Sequence, residues 1–138
     1  MSVLGINHVN IRADRALLEA LRTFYRDAIG LTEGYRPPFA GFGYWLYAGD
    51  QPLIHLYETA PDDIRSNEHP SPIDHFAFTC EDRKSFEQRL KALGLEFTNK
   101  VIPTTGFGQI FLKDPAGNRV ELQFAEDAVA PQPPQTGV

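Results

Sequence analysis

The chain has 138 residues, of which 42% are hydrophobic and 22% charged, the size and composition of one globular domain with a single core. Its formal net charge is −5 and it has no cluster of Lys or Arg, which argues against nucleic-acid binding and against docking on an anionic membrane. Cys80 is the only cysteine, so an intrachain disulfide is excluded. With no signal-peptide pattern and no apolar run of membrane-spanning length, a cytoplasmic location is expected.

In chain order, "VLGINHVNI" alternates as a strand does, and "DRALLEALRTFYRDAIG" reads as an amphipathic helix with Asp14 as N-cap and Gly30 as its stop. Three shorter strand-like runs follow, near "LTEGYR", at "GYWLYAG" and at "QPLIHLYE". The polar segment "APDDIRSNEHPSP" reads as a linker over 60–72, and His69 within it as a solvated loop residue. The order of signals then repeats. "IDHFAFTC" is a strand, "EDRKSFEQRLKALG" a helix closed by Gly94, and "LEFTNKVI", "GQIFLKD" and "NRVELQFA" are strands. The turn "KDPAGN" supplies the Asp, Pro and Gly chemistry of a tight connection. A Pro-rich tail, 126–138, is expected to be poorly ordered.

The expected fold class is therefore α+β, a single domain over 1–125 made of two βαβββ modules, 1–59 and 73–125. The offsets support an internal repeat: His75 follows His8 by 67 residues, Glu121 follows His55 by 66, and Gly94 follows Gly30 by 64.

Alternation sorts each strand into two faces. Val9, Ile11, Ile54, Leu56, Phe76, Phe78, Val120, Leu122 and Phe124 form the faces the helices would cover. His8, His55, His75 and Glu121 fall on the opposite faces. One strand histidine is ordinarily a surface residue. Four ligand-type residues at repeat-related positions are a set, and three imidazoles with a carboxylate suit one divalent ion such as Zn, Ni, Fe, Mn or Co. A carboxylate that leaves the metal would act as a base, giving Glu121 two candidate roles. Asn10, Arg12, Tyr57, Thr79, Arg119 and Gln123 share the ligand faces as candidate pocket residues. The aromatic run "FAGFGYWLYAG" adds Trp45, with Phe39, Phe42 and Tyr44 as further candidates.

With "INHVNI", "FYRDAIGL", "IHLYE", "IDHFAF" and "FLKDPAGNRVELQF", the chain resembles the vicinal oxygen chelate superfamily over about residues 3–125. That superfamily includes glyoxalase I, bleomycin-resistance proteins, fosfomycin-inactivating enzymes, methylmalonyl-CoA epimerase and extradiol dioxygenases. The resemblance implies two modules whose sheets curve round a metal site, with helices on the outer face and ligands at His8, His55, His75 and Glu121. It implies a small-molecule substrate that chelates the metal through vicinal oxygens. It also implies a homodimer with the site at the interface, His8 and His55 coming from one subunit and His75 and Glu121 from the other. Lyase, isomerase or epoxide-opening chemistry is the first expectation. The alternatives are a ferrous ring-cleaving dioxygenase, with His55 as an acid–base residue, and a non-catalytic sequestering protein. Glyoxalase I usually carries Glu or Gln at the position of His55.

Overall fold

A computed structural model describes Met1 and residues 3–62, 75–103 and 106–125. The linker from residue 63 on, His69 and the tail 126–138 lie outside the described residues. The chain divides into two compact units, Met1–Pro70 and Ser71–Val138.

The first unit runs β1 (Val9–Ala13), α1 (Arg15–Thr23), a π-helical continuation (Phe24–Ile29), β2 (Thr32–Gly34), β3 (Gly43–Ala48) and β4 (Gln51–Glu58). The second runs β5 (Phe76–Cys80), α2 (Arg83–Ala92), β6 (Thr98–Val101), β7 (Gly108–Lys113) and β8 (Arg119–Phe124). Each unit is thus a βαβββ module. The sheets have equivalent strand orders, β1-β4-β3-β2 and β5-β8-β7-β6, with the first and last strand of each module parallel and the other pairs antiparallel.

Helix α1 begins where the sequence places its cap: Asp14 Oδ1 accepts the Leu17 amide at 2.9 Å. Leu18 and Leu21 are fully buried beneath it. The wider π turn then puts consecutive Phe24 and Tyr25, with Ala28 and Ile29, into the core, and Gly30 ends the helix in the left-handed conformation at φ 91°. In the second module, Asp82 caps α2 by accepting from the Ser85 amide at 3.3 Å and the Ser85 hydroxyl at 2.6 Å. Phe86 of α2 meets Phe124 of β8 edge to face at 5.6 Å. Ile54, Leu56 and Leu46 in one sheet, and Ile110, Leu112, Val120 and Leu122 in the other, complete the two buried faces.

Two strand starts differ from the sequence expectation. β1 begins at Val9 and β5 at Phe76, so His8 and His75 each stand one residue before a strand rather than at its middle. Parallel pairing in the first module begins at Val9↔Ile54, and the stretch before it leaves Val3, Leu4 and Ile6 exposed. Alternation persists there in sequence, but among the described residues no strand of the module pairs with it.

Candidate functional site

The expected ligand residues assemble as two pairs, one inside each module. Among the described residues, no three His, Cys, Asp or Glu side chains form one cluster.

In the first module, β3 and β4 put Trp45 opposite His55, and β1 puts Asn10 beside His55. The result is a stack of three rings: His8 on His55 at 3.8 Å and 12°, and His55 on Trp45 at 3.9 Å and 9°. His55 donates from Nε2 to the Pro52 carbonyl at 3.1 Å, and His8 Nδ1 donates to Asn7 Oδ1 at 2.8 Å. Because carbonyl oxygens only accept, each bond fixes a tautomer, leaving His55 Nδ1 and His8 Nε2 with free lone pairs. Burial pushes the His55 imidazole below its ordinary value of 6.5, helped by the charges of His8 and Arg36 and opposed by the bond to Pro52. The neutral form that a metal requires is therefore favoured.

That shift has a measurable consequence for stability. The unfolded chain takes up the His55 proton near 6.5, before the folded chain does, so protonation favours unfolding. In metal-free protein, His55's contribution is fully present above that pH and is lost as the pH falls below it toward the depressed folded value. His55→Gln is expected to flatten this acid loss, and urea unfolding between pH 7.5 and 5, values chosen on the order of one unit either side of the imidazole range, checks it.

In the second module, β8 carries Glu121 opposite Phe111 of β7 and beside Ala77 of β5. The carboxylate is buried, with Gln109 Nε2 donating to Oε1 at 2.5 Å and His75 Nε2 lying 3.2 Å from Oε2. The ring of Phe111 stands edge to face with His75 at 5.7 Å, and the Arg119 guanidinium covers Phe111 at 4.2 Å. Glu121 thus sits where the repeat puts His55, and Phe111 where it puts Trp45.

A cavity of about 540 Å³ opens beside the first pair, lined by Asn7, His8, Asn10, Arg36, Phe39, Trp45, Pro52, His55, Leu56 and Tyr57. Of the expected pocket residues, Asn10, Tyr57, Trp45 and Phe39 line it. Arg12 lies outside it with its guanidinium 4.7 Å over the Tyr57 ring. Tyr44 and Phe42 belong to the helix side instead: the Tyr44 hydroxyl donates to Glu19 of α1 at 2.5 Å, and Arg15 of α1 lies 3.5 Å over Phe42. In the second module Gln123 pairs with Gln109 across β7–β8, while Arg119 and Thr79 are exposed.

Arg36 is the site residue that sequence reasoning missed. It lies in the irregular segment between β2 and β3, where alternation has no meaning. Its Nε and Nη2 are closed to solvent with no hydrogen-bond partner among the described residues, while its guanidinium lies 5.2 Å from the Phe39 ring and 5.5 Å from that of Tyr57. Leaving buried charged donors unpaired costs more than the roughly 1–3 kcal/mol of a neutral group.

Free imidazole nitrogens and a buried carboxylate beside a third imidazole are suitable donors for a borderline divalent ion. A family model described as the glyoxalase/bleomycin resistance protein/dioxygenase superfamily matches residues 5–122. The chain belongs to this superfamily. It is 25% identical over 126 residues to the Arabidopsis thaliana protein Glyoxylase I 4, covering 88% of this chain and 71% of that one. A glyoxalase family protein from Bacillus anthracis aligns with a TM-score of 0.69 and 28% identity, over 90% of this chain and 97% of that one. A lactoylglutathione lyase from Agrobacterium tumefaciens aligns with a TM-score of 0.63 and 25% identity, over 90% and 96%. A fosfomycin resistance protein from Listeria monocytogenes, solved in complex with Mn(II), shares the fold at a TM-score of 0.64 and 18% identity, over 89% and 93%. Among the described residues, no helix is long and apolar enough to cross a membrane.

Proposed function

We propose that the chain is a metal-dependent enzyme acting on a small oxygenated substrate chelated through vicinal oxygens, by lyase, isomerase or epoxide-opening chemistry. The observation that carries this reading is the pairing of ligand-type residues at equivalent positions of both modules, His8 with His55 at 3.8 Å between ring centroids and His75 with Glu121 at 3.2 Å. His8, His55, His75 and Glu121 would hold one divalent ion. Such an ion supplies Lewis acidity toward a carbonyl, enediolate or epoxide oxygen.

The chain's own groups divide the remaining work. Glu121 accepts a proton at Oε2, while Gln109 holds Oε1 and fixes the carboxylate's orientation. Trp45 and His8 clamp the His55 ring from its two sides, so its donor nitrogen has little freedom to turn. The aromatic walls of the cavity exclude water from the bound substrate. A cytoplasmic homodimer, with the His8–His55 pair of one subunit serving the His75–Glu121 pair of the other, completes the proposal. Exposure of the apolar residues Val3, Leu4 and Ile6 supports a second copy covering this stretch.

Elemental analysis tests the metal. Protein reconstituted with Zn, Ni, Co, Mn or ferrous iron is expected to retain about one ion per chain, and His75→Ala to retain at least about tenfold less. Wild-type protein without stoichiometric metal, or His75→Ala with undiminished metal, would falsify the reading.

A further inference from the structure

We propose that Arg36 receives an oxyanion of the substrate, a carboxylate in the first place, through the paired Nε–H and Nη2–H edge of its guanidinium. This names a substrate class for the proposed metal site and rests on that reading for its catalytic meaning, though the anion subsite stands on observations of its own.

The cavity beside His8 and His55 has Arg36 on its wall and no carboxylate among its lining residues, in a chain whose formal net charge is −5. Its field therefore favours a negative ligand locally, although the protein as a whole is acidic. The two nitrogens of Arg36 without a hydrogen-bond partner among the described residues are the side-on pair of the guanidinium. Their N–H bonds run parallel and match the two oxygens of one carboxylate in a bidentate fork.

The surrounding chain is shaped around this group. A Cβ at Gly43 would overlap the Leu56 carbonyl oxygen and stand 3.2 Å from Arg36 Nη2. One at Gly41 would overlap the Tyr57 hydroxyl. Glycines at both positions let the guanidinium and the Tyr57 ring lie close against the backbone. The Phe39 ring, 52% exposed and on a segment outside the strands, packs near the guanidinium. Both donor nitrogens are closed to solvent, so the proposal requires a neighbouring group to move, and it assigns that movement to the Phe39 ring. A planar substrate with a carboxylate at one end would place its apolar body among Phe39, Trp45 and Tyr57.

Trp45 is the only tryptophan of the chain and lines this cavity, so its emission reports occupancy directly. Chelator-treated protein is titrated with benzoate, which has no vicinal oxygens to chelate a metal, and with benzamide, its neutral counterpart. Benzoate is expected to change Trp45 emission saturably, with benzamide binding at least about tenfold more weakly and Arg36→Gln losing at least about tenfold in benzoate affinity. Arg36→Lys keeps the charge without the fork, and is expected to weaken benzoate several-fold; it carries the test if the Gln variant does not fold. Phenylphosphonate binding more weakly than benzoate assigns a carboxylate, and binding as tightly assigns a tetrahedral oxyanion to the same fork. Equal binding of benzoate and benzamide, or unchanged benzoate affinity in the folded Arg36 variants, overturns the proposal. The metal reading fails separately, through metal content, which Arg36→Gln is expected to leave unchanged.

Discussion

Glu121→Gln is expected to lower divalent-metal affinity by at least about 100-fold and to abolish turnover, while leaving the fold intact. Glutamine has nearly the shape of glutamate, and its carbonyl oxygen can still accept from Gln109 Nε2, which lies 2.5 Å from Oε1 in the native chain. What disappears is the negative charge, and with it both the strongest electrostatic attraction for the proposed ion and the proposed proton acceptor. The metal-free fold should not suffer. Glu121 is 6% exposed, and glutamine keeps its volume, while the His75 ring, whose Nε2 lies 3.2 Å from Oε2, can turn a lone pair to the new amide NH₂ by taking its other tautomer. Thermal melts of the metal-free proteins should therefore nearly coincide, whereas the rise in midpoint expected when metal is added to the wild type should vanish in the variant.

The same substitution distinguishes how the two pairs are shared. If a site takes the His8–His55 pair from one subunit and the His75–Glu121 pair from the other, co-refolding Glu121→Gln with His8→Ala protein produces heterodimers with one intact site. Random pairing then restores about a quarter of the wild-type metal sites. Sites closed within each chain would recover none. Metal content of the mixture decides between these arrangements.

Much of this was legible because the sequence writes the module twice. Asp14 and Gly30 mark their helix by local hydrogen bonding and backbone preference, which need no distant partner. The strand faces also follow from alternation: Leu46, Ile54 and Leu56 are buried while Trp45 and His55 stack on the other side. What sequence could not show depends on contacts formed only after folding. β1 starts at Val9 because its pairing with β4 starts there, although alternation continues back to Val3. Tyr44 turns to Glu19 because β3 puts it over α1, so a run of aromatics divides between the two faces of one sheet. Arg36 had no pattern to expose it. It sits in an irregular segment, and what marks it is a donor edge without a partner among the described residues, a property of its surroundings rather than of "YRPPF". One weak signal was present, the closely spaced Gly41 and Gly43 beside aromatic residues, which marks a close approach of side chains to the backbone.

Asp114→Ala is expected to be the most destabilising polar substitution in the second module, at about 3 kcal/mol. The side chain is only 4% exposed and acts as the internal brace of the "KDPAGN" turn. Oδ1 accepts the amides of Ala116 at 2.9 Å and Asn118 at 2.8 Å, and Oδ2 accepts from Asn118 Nδ2 at 2.9 Å. Backbone bonds close the same turn, from Asp114 N to Asn118 O and from Gly117 N to Asp114 O, both 2.9 Å. Alanine removes the acceptor and leaves the two amides it served without their partner, in a turn whose Gly117 holds φ at 86°. An asparagine there is not equivalent to the native aspartate. Asp114→Asn keeps one oxygen for the two amides but directs an NH₂ group at the NH₂ of Asn118, so an intermediate loss of about 1–2 kcal/mol is expected. Urea unfolding should show a lower midpoint with an unchanged slope for both variants. The turn also sets the pairing of β7 with β8, which places Phe111 opposite Glu121 and Gln109 within reach of it. A loosened turn therefore weakens metal retention as well as stability. Asp114→Ala should reduce metal affinity by about 10-fold or more even though residue 114 donates nothing to the ion, and Asp114→Asn should reduce it less. Metal affinity undiminished in a measurably destabilised Asp114→Ala protein would show that the carboxylate of Glu121 is held in place without the turn.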